Sequence, residues 1–328
     1  MTETRSKSFL NLFPPPTFLQ LSLSGIVITD GEIKFIELKR GVFTGKLKLS
    51  RIEKINNTEG AIEAGIIVNE VSTAKALKDL AYKYGVRYVR STLPEERAYI
   101  FTTLINNVPK EGLKDAVAFT IEENAPVSLA ESLFDFEVVE FDEDSGQIKV
   151  SVSVVPRSLV SAYTALFESA GITPISFDLE SQAIARAVIK KGDGATNLIV
   201  NFAYKKTGFY VVDKEVVQFS STPPHGLDIK DPDRTINELK RELLKVIDFW
   251  NGRTDEAGRR EGVVQKITFC GAGSNQPDLI KKIMENINLP YSIADVWANL
   301  SSQNRGIITT DESLDYASSI GLVLSNKT

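Results

Sequence analysis

The chain has 328 residues, 42% of them hydrophobic and 25% charged, enough for roughly two domains with cores of their own. Its net charge of −5 argues against a nucleic-acid surface or an anionic-lipid surface and leaves room for local basic patches, while one cysteine and one histidine exclude an internal disulfide and a histidine metal cluster. No apolar run approaches the ~20 uncharged residues of a spanning helix, and residues 1–12 lack the apolar core of a secretory signal, so a cytosolic protein is expected.

Residues 1–8 are polar, and Pro14-Pro-Pro16 gives an extended lead into strands over 17–28 and 33–38, joined at the hairpin signal Asp30-Gly31. Further strands are predicted over 46–52 and 64–68. Ser72 is the predicted cap of a helix running to Tyr84, with Ala76, Leu77, Leu80 and Ala81 on one face and Gly85 as its stop. Strands over 86–92 and 98–104 flank a turn at Pro94-Glu-Glu-Arg97, and a helix over 110–123 ends before Ala125-Pro126. Strands 134–141 and 147–155 pair across the acidic turn 142–146, which lacks calcium-loop spacing and reads as a solvated tip. A helix opens at Pro156 and Ser158, carries Leu159, Tyr163, Leu166, Phe167 and Ala170 at helical spacing, and stops at Gly171. A strand over 172–178 and a helix over 180–190 complete the first half.

Lys190-Lys-Gly-Asp-Gly194 is the clearest linker signal. Beyond it come strands over 197–202, 208–212 and 216–220, an amphipathic helix over 235–250 and a charged connection over 251–261, so the two halves read as rough duplicates of one βββαβα plan. The run Ile267-Thr-Phe-Cys-Gly-Ala-Gly-Ser-Asn275 then hands a strand, through a small-residue loop and Pro277, to a helix over 278–287. Glycines let backbone approach a bound group, and a helix start leaves amide donors facing it; the same loop also serves plain strand-to-helix packing. A short strand over 291–293 and a helix over 314–324 follow. Cys270 ends an apolar strand with no histidine nearby and reads as a buried structural thiol. His225 reads as a loop residue, and Trp250 and Trp297 as core or interface anchors.

In their order, Ile33-Lys-Phe-Ile-Glu-Leu-Lys39, Thr92-Leu-Pro94, Ile121-Glu-Glu-Asn-Ala-Pro126, Asp135-Phe-Glu-Val138, Ala170-Gly-Ile-Thr-Pro174, Glu238-Leu-Lys-Arg-Glu-Leu243, Cys270-Gly-Ala-Gly-Ser274 and Ala317-Ser-Ser-Ile-Gly-Leu322 resemble PilM, the cytoplasmic actin-like family of type IV pilus assembly, related to the cell-division protein FtsA. The resemblance implies an α/β, actin-like (ribonuclease H-like) fold of two lobes closing over a nucleotide cleft. Residues 1–85 and 156–192 would form the first lobe, 86–155 a small inserted α+β domain, and 193–328 the second lobe with a subdivision over about 221–262. It also implies that the first lobe holds the N-terminal tail of a single-span inner-membrane partner, PilN, which requires apolar pockets and free backbone rather than catalytic groups. Pilus motor ATPases and further copies of the chain are additional expected partners.

In that superfamily each lobe carries an Asp-x-Gly hairpin that cradles phosphates and orients magnesium. Here the first is read at Leu21-Ser-Leu-Ser-Gly25, with Ser24 and no acid, and the second at Asn201-Phe-Ala203, with Asn201 where the acid belongs and Thr207 close behind. Asn neither takes a proton as a base nor supplies the ionic bond that magnesium favours. Gly271, Ala272, Gly273 and Ser274 match the adenosine-side loop, with Glu238 and Arg241 as purine or ribose contacts. The expectation is a scaffold without catalytic residues or metal, in which ATP or ADP with magnesium is held weakly or not at all. Alternatives are an active ATPase of the same fold, drawing on Asp213 or Asp228, and an FtsA-like division protein. The latter resemble one another in a C-terminal amphipathic membrane helix, which Ser325-Asn-Lys-Thr328 does not supply.

Overall fold

The computed structural model describes residues 23–40, 47–106, 108–142, 146–203, 205–224, 226, 232–254, 262–300 and 308–324. The Pro14-Pro-Pro16 lead, the acidic tip at 143–145, His225, Asp228, the connection at 255–261 and the segment 325–328 lie outside the described residues.

Strands β1 (Leu23–Ile28) and β2 (Glu32–Arg40) pair antiparallel with Ile28 opposite Ile33, which places Asp30-Gly31 in the turn. Strand β3 (Leu47–Asn56) continues the meander, and the short hairpin β4 (Ile62–Glu63) and β5 (Ile66–Ile67) leads to helix α1 (Glu70–Tyr84). The helix starts ahead of the predicted cap Ser72, because Asn69 caps it by accepting a hydrogen bond from the Ser72 amide. Asn and Ser are equally good at that position, and the sequence offers both within one turn.

Strand β6 (Tyr88–Leu93) pairs in parallel with β1 and with β10 (Thr173–Leu179), closing a sheet of order β10-β6-β1-β2-β3. The inserted domain lies between them: β7 (Tyr99–Asn106), helix α2 (Leu113–Asn124), β8 (Ser132–Asp142) and β9 (Gln147–Pro156), with sheet order β7-β9-β8. The insertion therefore begins after β6 and not at residue 86, since 88–93 is a strand of the first sheet. An apolar strand reads alike whichever neighbour it pairs with. Helices α3 (Arg157–Ser169) and α4 (Glu180–Val188) flank β10.

The second half repeats this plan with β11 (Asn197–Phe202), β12 (Thr207–Asp213), β13 (Val216–Ser221), α5 (Pro232–Asn251), β14 (Lys266–Gly271), α6 (Pro277–Met284) and β15 (Tyr291–Ile293). Its sheet order, β13-β12-β11-β14-β15, is the first order read from the other end, so β11 stands for β1 and β14 for β6. Helices α7 (Thr310–Ser313) and α8 (Ala317–Val323) follow.

Side-chain alternation sorts these elements into layers. Ile26, Ile28, Ile33 and Phe35 face α1 and α3, while Val27, Ile36 and Leu38 face α4 and α8. In the second sheet Leu198, Val200 and Phe202 face α5 and α6, while Ile199, Tyr210 and Cys270 face α4 and α8. Helices α4 and α8 thus form one layer shared by both sheets. Helix α8, expected in the second lobe from its place in the sequence, rests on β1, β2 and β6 of the first. Gly321 makes this crossing close: a Cβ there would lie 1.6 Å from the Ala183 carbonyl oxygen. Trp250 and Trp297 are buried as anchors. Helix α5 packs directly on the second sheet through Leu239, Leu243, Val246 and Trp250, so its residues belong to that lobe's main core rather than to a separate subdivision.

Candidate functional site

The turn Thr29-Asp30-Gly31 and the turn residues Ala203, Lys205 and Lys206 face each other across the gap between lobes. The internal repeat relates Asn201 to a position in the first sheet. Asn201 precedes the last residue of β11, and the matching position in β1 is Val27. Ser24, expected at the first phosphate hairpin, is buried inside β1, paired with Glu37 and four residues before the strand's end. Val27 packs on Ala183 and Leu322, and Asn201 accepts a long hydrogen bond from the Cys270 thiol at 3.6 Å. Burial pushes that thiol's pKa up, as expected of a structural cysteine. Neither position offers a carboxylate.

Asp30, the acid of the first turn, has another task. Its carboxylate accepts from the amides of Ala64 at 2.9 Å and Gly65 at 3.3 Å, tying the β4–β5 turn to the β1–β2 turn. Successive amides in such a turn form an anion-binding nest, and here the anion is the chain's own.

Ion pairs cross the gap beside the hairpins. Lys206 reaches Glu96 at 2.7 Å and Glu180 at 3.5 Å. Burial would lower the lysine's pKa, but Glu180, Glu96 and Glu95 outweigh it and hold the ammonium charged. Beneath it Lys34 binds Asp315, which Lys54 also reaches at 3.1 Å, with Glu32 completing the group. The cavity left among Val27, Lys34, Glu180, Asn201 and Asp315 holds about 20 Å³, room for one water and not for a phosphate chain. At the mouth a wider cavity of about 320 Å³, mostly apolar, lies between Thr29, Glu96, Ala203, Lys206 and Thr222. Among the described residues no group of three or more His, Cys, Asp or Glu is placed to hold a metal ion.

The loop read as the adenosine side is buried at Gly271, Gly273 and Ser274 and exposed at Ala272. Gly271 has φ +86° and ψ 171°, and a Cβ there would lie 2.3 Å from the Phe202 carbonyl oxygen. The glycine is required because β14 meets the end of β11 so closely. Ala272 begins a 3₁₀ turn, Gly273 and Ser274 are buried, and the Ser274 hydroxyl donates to the Gly271 carbonyl at 2.6 Å. Asn201, Thr207 and this loop do converge at one end of the second sheet. Glu238 and Arg241 lie on α5, across the sheet from α4 and α8: Glu238 is held by Arg234 at 2.9 Å, and Arg241 is 60% exposed beside Glu242. Asp213 sits at the far end of β12 from Asn201, bound by the Thr196 hydroxyl, and does not reach the cleft.

A second concavity was not assigned residues by sequence reasoning. It holds about 310 Å³ between the inserted domain and the first lobe, with Leu133 and Phe134 of β8 on one wall and Phe177 and Leu179 of β10 on the other. Both strands are sheet edges, so each presents backbone donors and acceptors to the gap. The β10 pairing slips between Pro174 and Ser176, and the Ser176 hydroxyl is buried there without a hydrogen-bond partner among the described residues. Asp178 at the groove floor is neutralised by Arg186 at 2.8 Å. The signal that would have found this groove is two strands that are both edges, which single-sequence periodicity does not reveal.

Two sheets of one topology about a shared helical layer, with paired hairpins facing a cleft, define an actin-like protein. The chain is similar to the PilM of a PilM-PilN type IV pilus biogenesis complex, with 16% identity, a TM-score of 0.76, and 92% of this chain and 97% of that one covered. It is also similar to the ethanolamine utilization protein EutJ from Carboxydothermus hydrogenoformans, with 10% identity, a TM-score of 0.50, and 95% and 90% of the two chains covered. The family model of Type IV pilus assembly protein PilM matches residues 25–228, and the chain belongs to that family. No curated protein matches it in sequence.

Proposed function

We propose that the protein is a non-catalytic scaffold of type IV pilus assembly that captures the extended N-terminal tail of a PilN-like inner-membrane partner between β8 and β10. The observation that carries this reading is the groove: apolar walls, two open sheet edges and a buried unpartnered hydroxyl suit an added strand with a side chain seated between Phe134 and Phe177. The relative of highest TM-score reported above was solved with PilN, which supports the choice of partner. Among the described residues no helix is long and apolar enough to cross a membrane, so recruitment through such a tail accounts for a cytoplasmic protein acting at the inner membrane. The cleft supports the absence of catalysis, because neither Val27 nor Asn201 offers a carboxylate and lysine–carboxylate pairs cross the gap.

The test is capture of the purified chain on immobilised synthetic tails of single-span pilus proteins, with calorimetric titration of ATP in the presence and absence of magnesium. Retention by a PilN-like tail, lost in F177D, is expected, together with no magnesium-dependent heat. Failure of every tail would overturn the scaffold mechanism. Magnesium-dependent binding would turn the 320 Å³ mouth into a nucleotide site and favour the ATPase reading.

A further inference from the structure

Outside both concavities, one stretch departs from the acidic character of the chain. Between Leu38 and Ile52 the sequence has five basic residues, Lys39, Arg40, Lys46, Lys48 and Arg51, and no acidic one, in a protein of net charge −5. The hairpin of β2 and β3 brings Lys39, Arg40, Lys48 and Arg51 together. Lys39 lies directly opposite Lys48, and Arg40 opposite Leu47, at the end of the hairpin. All three cations are exposed, and Leu38 and Leu49 turn inward beside them.

Like charges set opposite each other across strands destabilise the pair. Among the described residues Glu37 lies near: it is 3.6 Å from Lys39 and 3.5 Å from Arg51, and its side chain is 7% exposed. Arg51 is also drawn inward, donating to the Tyr84 carbonyl at 2.6 Å. The exposed Lys39 and Lys48 therefore repel each other across the strands, a condition that Glu37 beside Lys39 relieves in part and an external anionic surface relieves further.

We propose that this end of the first lobe adsorbs to an anionic lipid surface. Lysines act as compact charges without the planar fork by which arginine selects individual carboxylates, so Lys39 and Lys48 suit a diffuse layer of headgroups better than one acidic peptide. The strand order places β3 at the opposite edge of the sheet from β10, about 19 Å away at the usual strand spacing, so groove and patch can be occupied at once. Three exposed cations hold a protein weakly by themselves. A tethering tail raises the effective concentration of the surface and makes weak adsorption count. The contact is peripheral, without insertion, and takes from the scaffold reading only the nearness of a membrane.

The test is flotation of the purified chain with vesicles of phosphatidylcholine alone or mixed with phosphatidylglycerol, at low and high salt and with no partner tail present. Flotation with the anionic vesicles only, abolished by salt, is expected. K39E/K48E should lower partitioning by at least about thirtyfold, two lysine contributions at an anionic surface. The charge-matched K281E/K282E on α6 should float as the parent does. No flotation, or equal loss in both variants, would overturn the proposal. Binding of polyglutamate without flotation would assign the patch to an acidic protein instead. Because the vesicles carry no tail, failure here leaves the groove's function standing, and failure of the tails leaves this result standing.

Discussion

Glu95 is 2% exposed at the junction of the lobes, and its carboxylate accepts from the Ser181 amide at 3.0 Å. Burial raises its pKa above the ordinary value, with the Ser181 hydrogen bonds opposing. A carboxyl raised on folding supports the fold fully below its unfolded pKa, and that support is lost as pH rises through the folded value. E95Q keeps an acceptor for Ser181 and removes the charge. It should raise the melting temperature by about 1–2 °C at neutral pH, the shift expected of ~1 kcal/mol in a chain of this size. The gain should vanish in acid; a difference that stays flat across a pH series would refute it. Asp315 has the opposite sign. Burial pushes its pKa up, but Lys34 and Lys54 outweigh burial and hold it below the ordinary value. Its contribution is present above the unfolded pKa and is lost as pH falls through the folded one. D315N should therefore melt below the parent at neutral pH and converge with it in strong acid. Neither role was legible in the sequence: Lys34 and Asp315 are 281 residues apart, and nothing local marks them as partners. Gly271 was legible as a special position, with a bound group and plain strand-to-helix packing both open as its reason, and the structure puts the Phe202 backbone beside it. G271A forces an alanine into a glycine-only conformation as well as that contact, and should cost roughly 2–4 kcal/mol in denaturant unfolding whether or not nucleotide is added.

At the scale of elements, most strands and helices followed from period and turn chemistry. Alternating Ile33 and Phe35 against Ile36 and Leu38, Asp30-Gly31 at a tight turn, and Gly171 after an amphipathic run each act within a few residues. The repeated plan also carried over strand for strand into the two sheet orders. What local signals omit is the partner. Strand β6 reads the same in an inserted domain as in the first sheet, and α8 reads the same on either lobe, because periodicity records that a face is buried and not what covers it. Gly321 is the exception in which one residue reports a contact. Its carbonyl accepts from Arg186 at 2.8 Å, and Arg186 also binds Asp178, so β10, α4 and α8 are joined at this crossing. G321A should destabilise the fold by about 3 kcal/mol, at the upper end for overpacking. Since the clash is with the Ala183 backbone oxygen, A183G should not rescue it; recovery of the melting temperature in the double variant would show that the helices separate easily.

For the whole molecule, the lobes are fixed to each other by more than the central layer. The inserted domain also touches the second lobe: the Ser151 hydroxyl donates to the Val217 carbonyl at 2.5 Å, and Arg253 donates to the Thr102 hydroxyl at 2.6 Å. With Lys206 binding Glu96 across the cleft, the lobes are held at the hairpins, the helices and the insert. Rigid-body closure on a nucleotide would have to break these contacts. Small-angle scattering is therefore expected to give the same radius with and without magnesium and ATP. K206A should raise hydrogen exchange in the 203–206 turn and in β11 while leaving β15 as it was, whereas a uniform rise would mean global loosening instead of a released latch.

The position of α8 bears on synthesis as well as on the finished protein. Val27 on β1 lacks its cover until Leu322 is available, and a nascent chain delivers that residue only after the second lobe has been translated. Because α8 also covers the second sheet, the first lobe, although encoded first, is sealed no earlier than the second, and its β1 face is a surface a chaperone would meet while elongation proceeds.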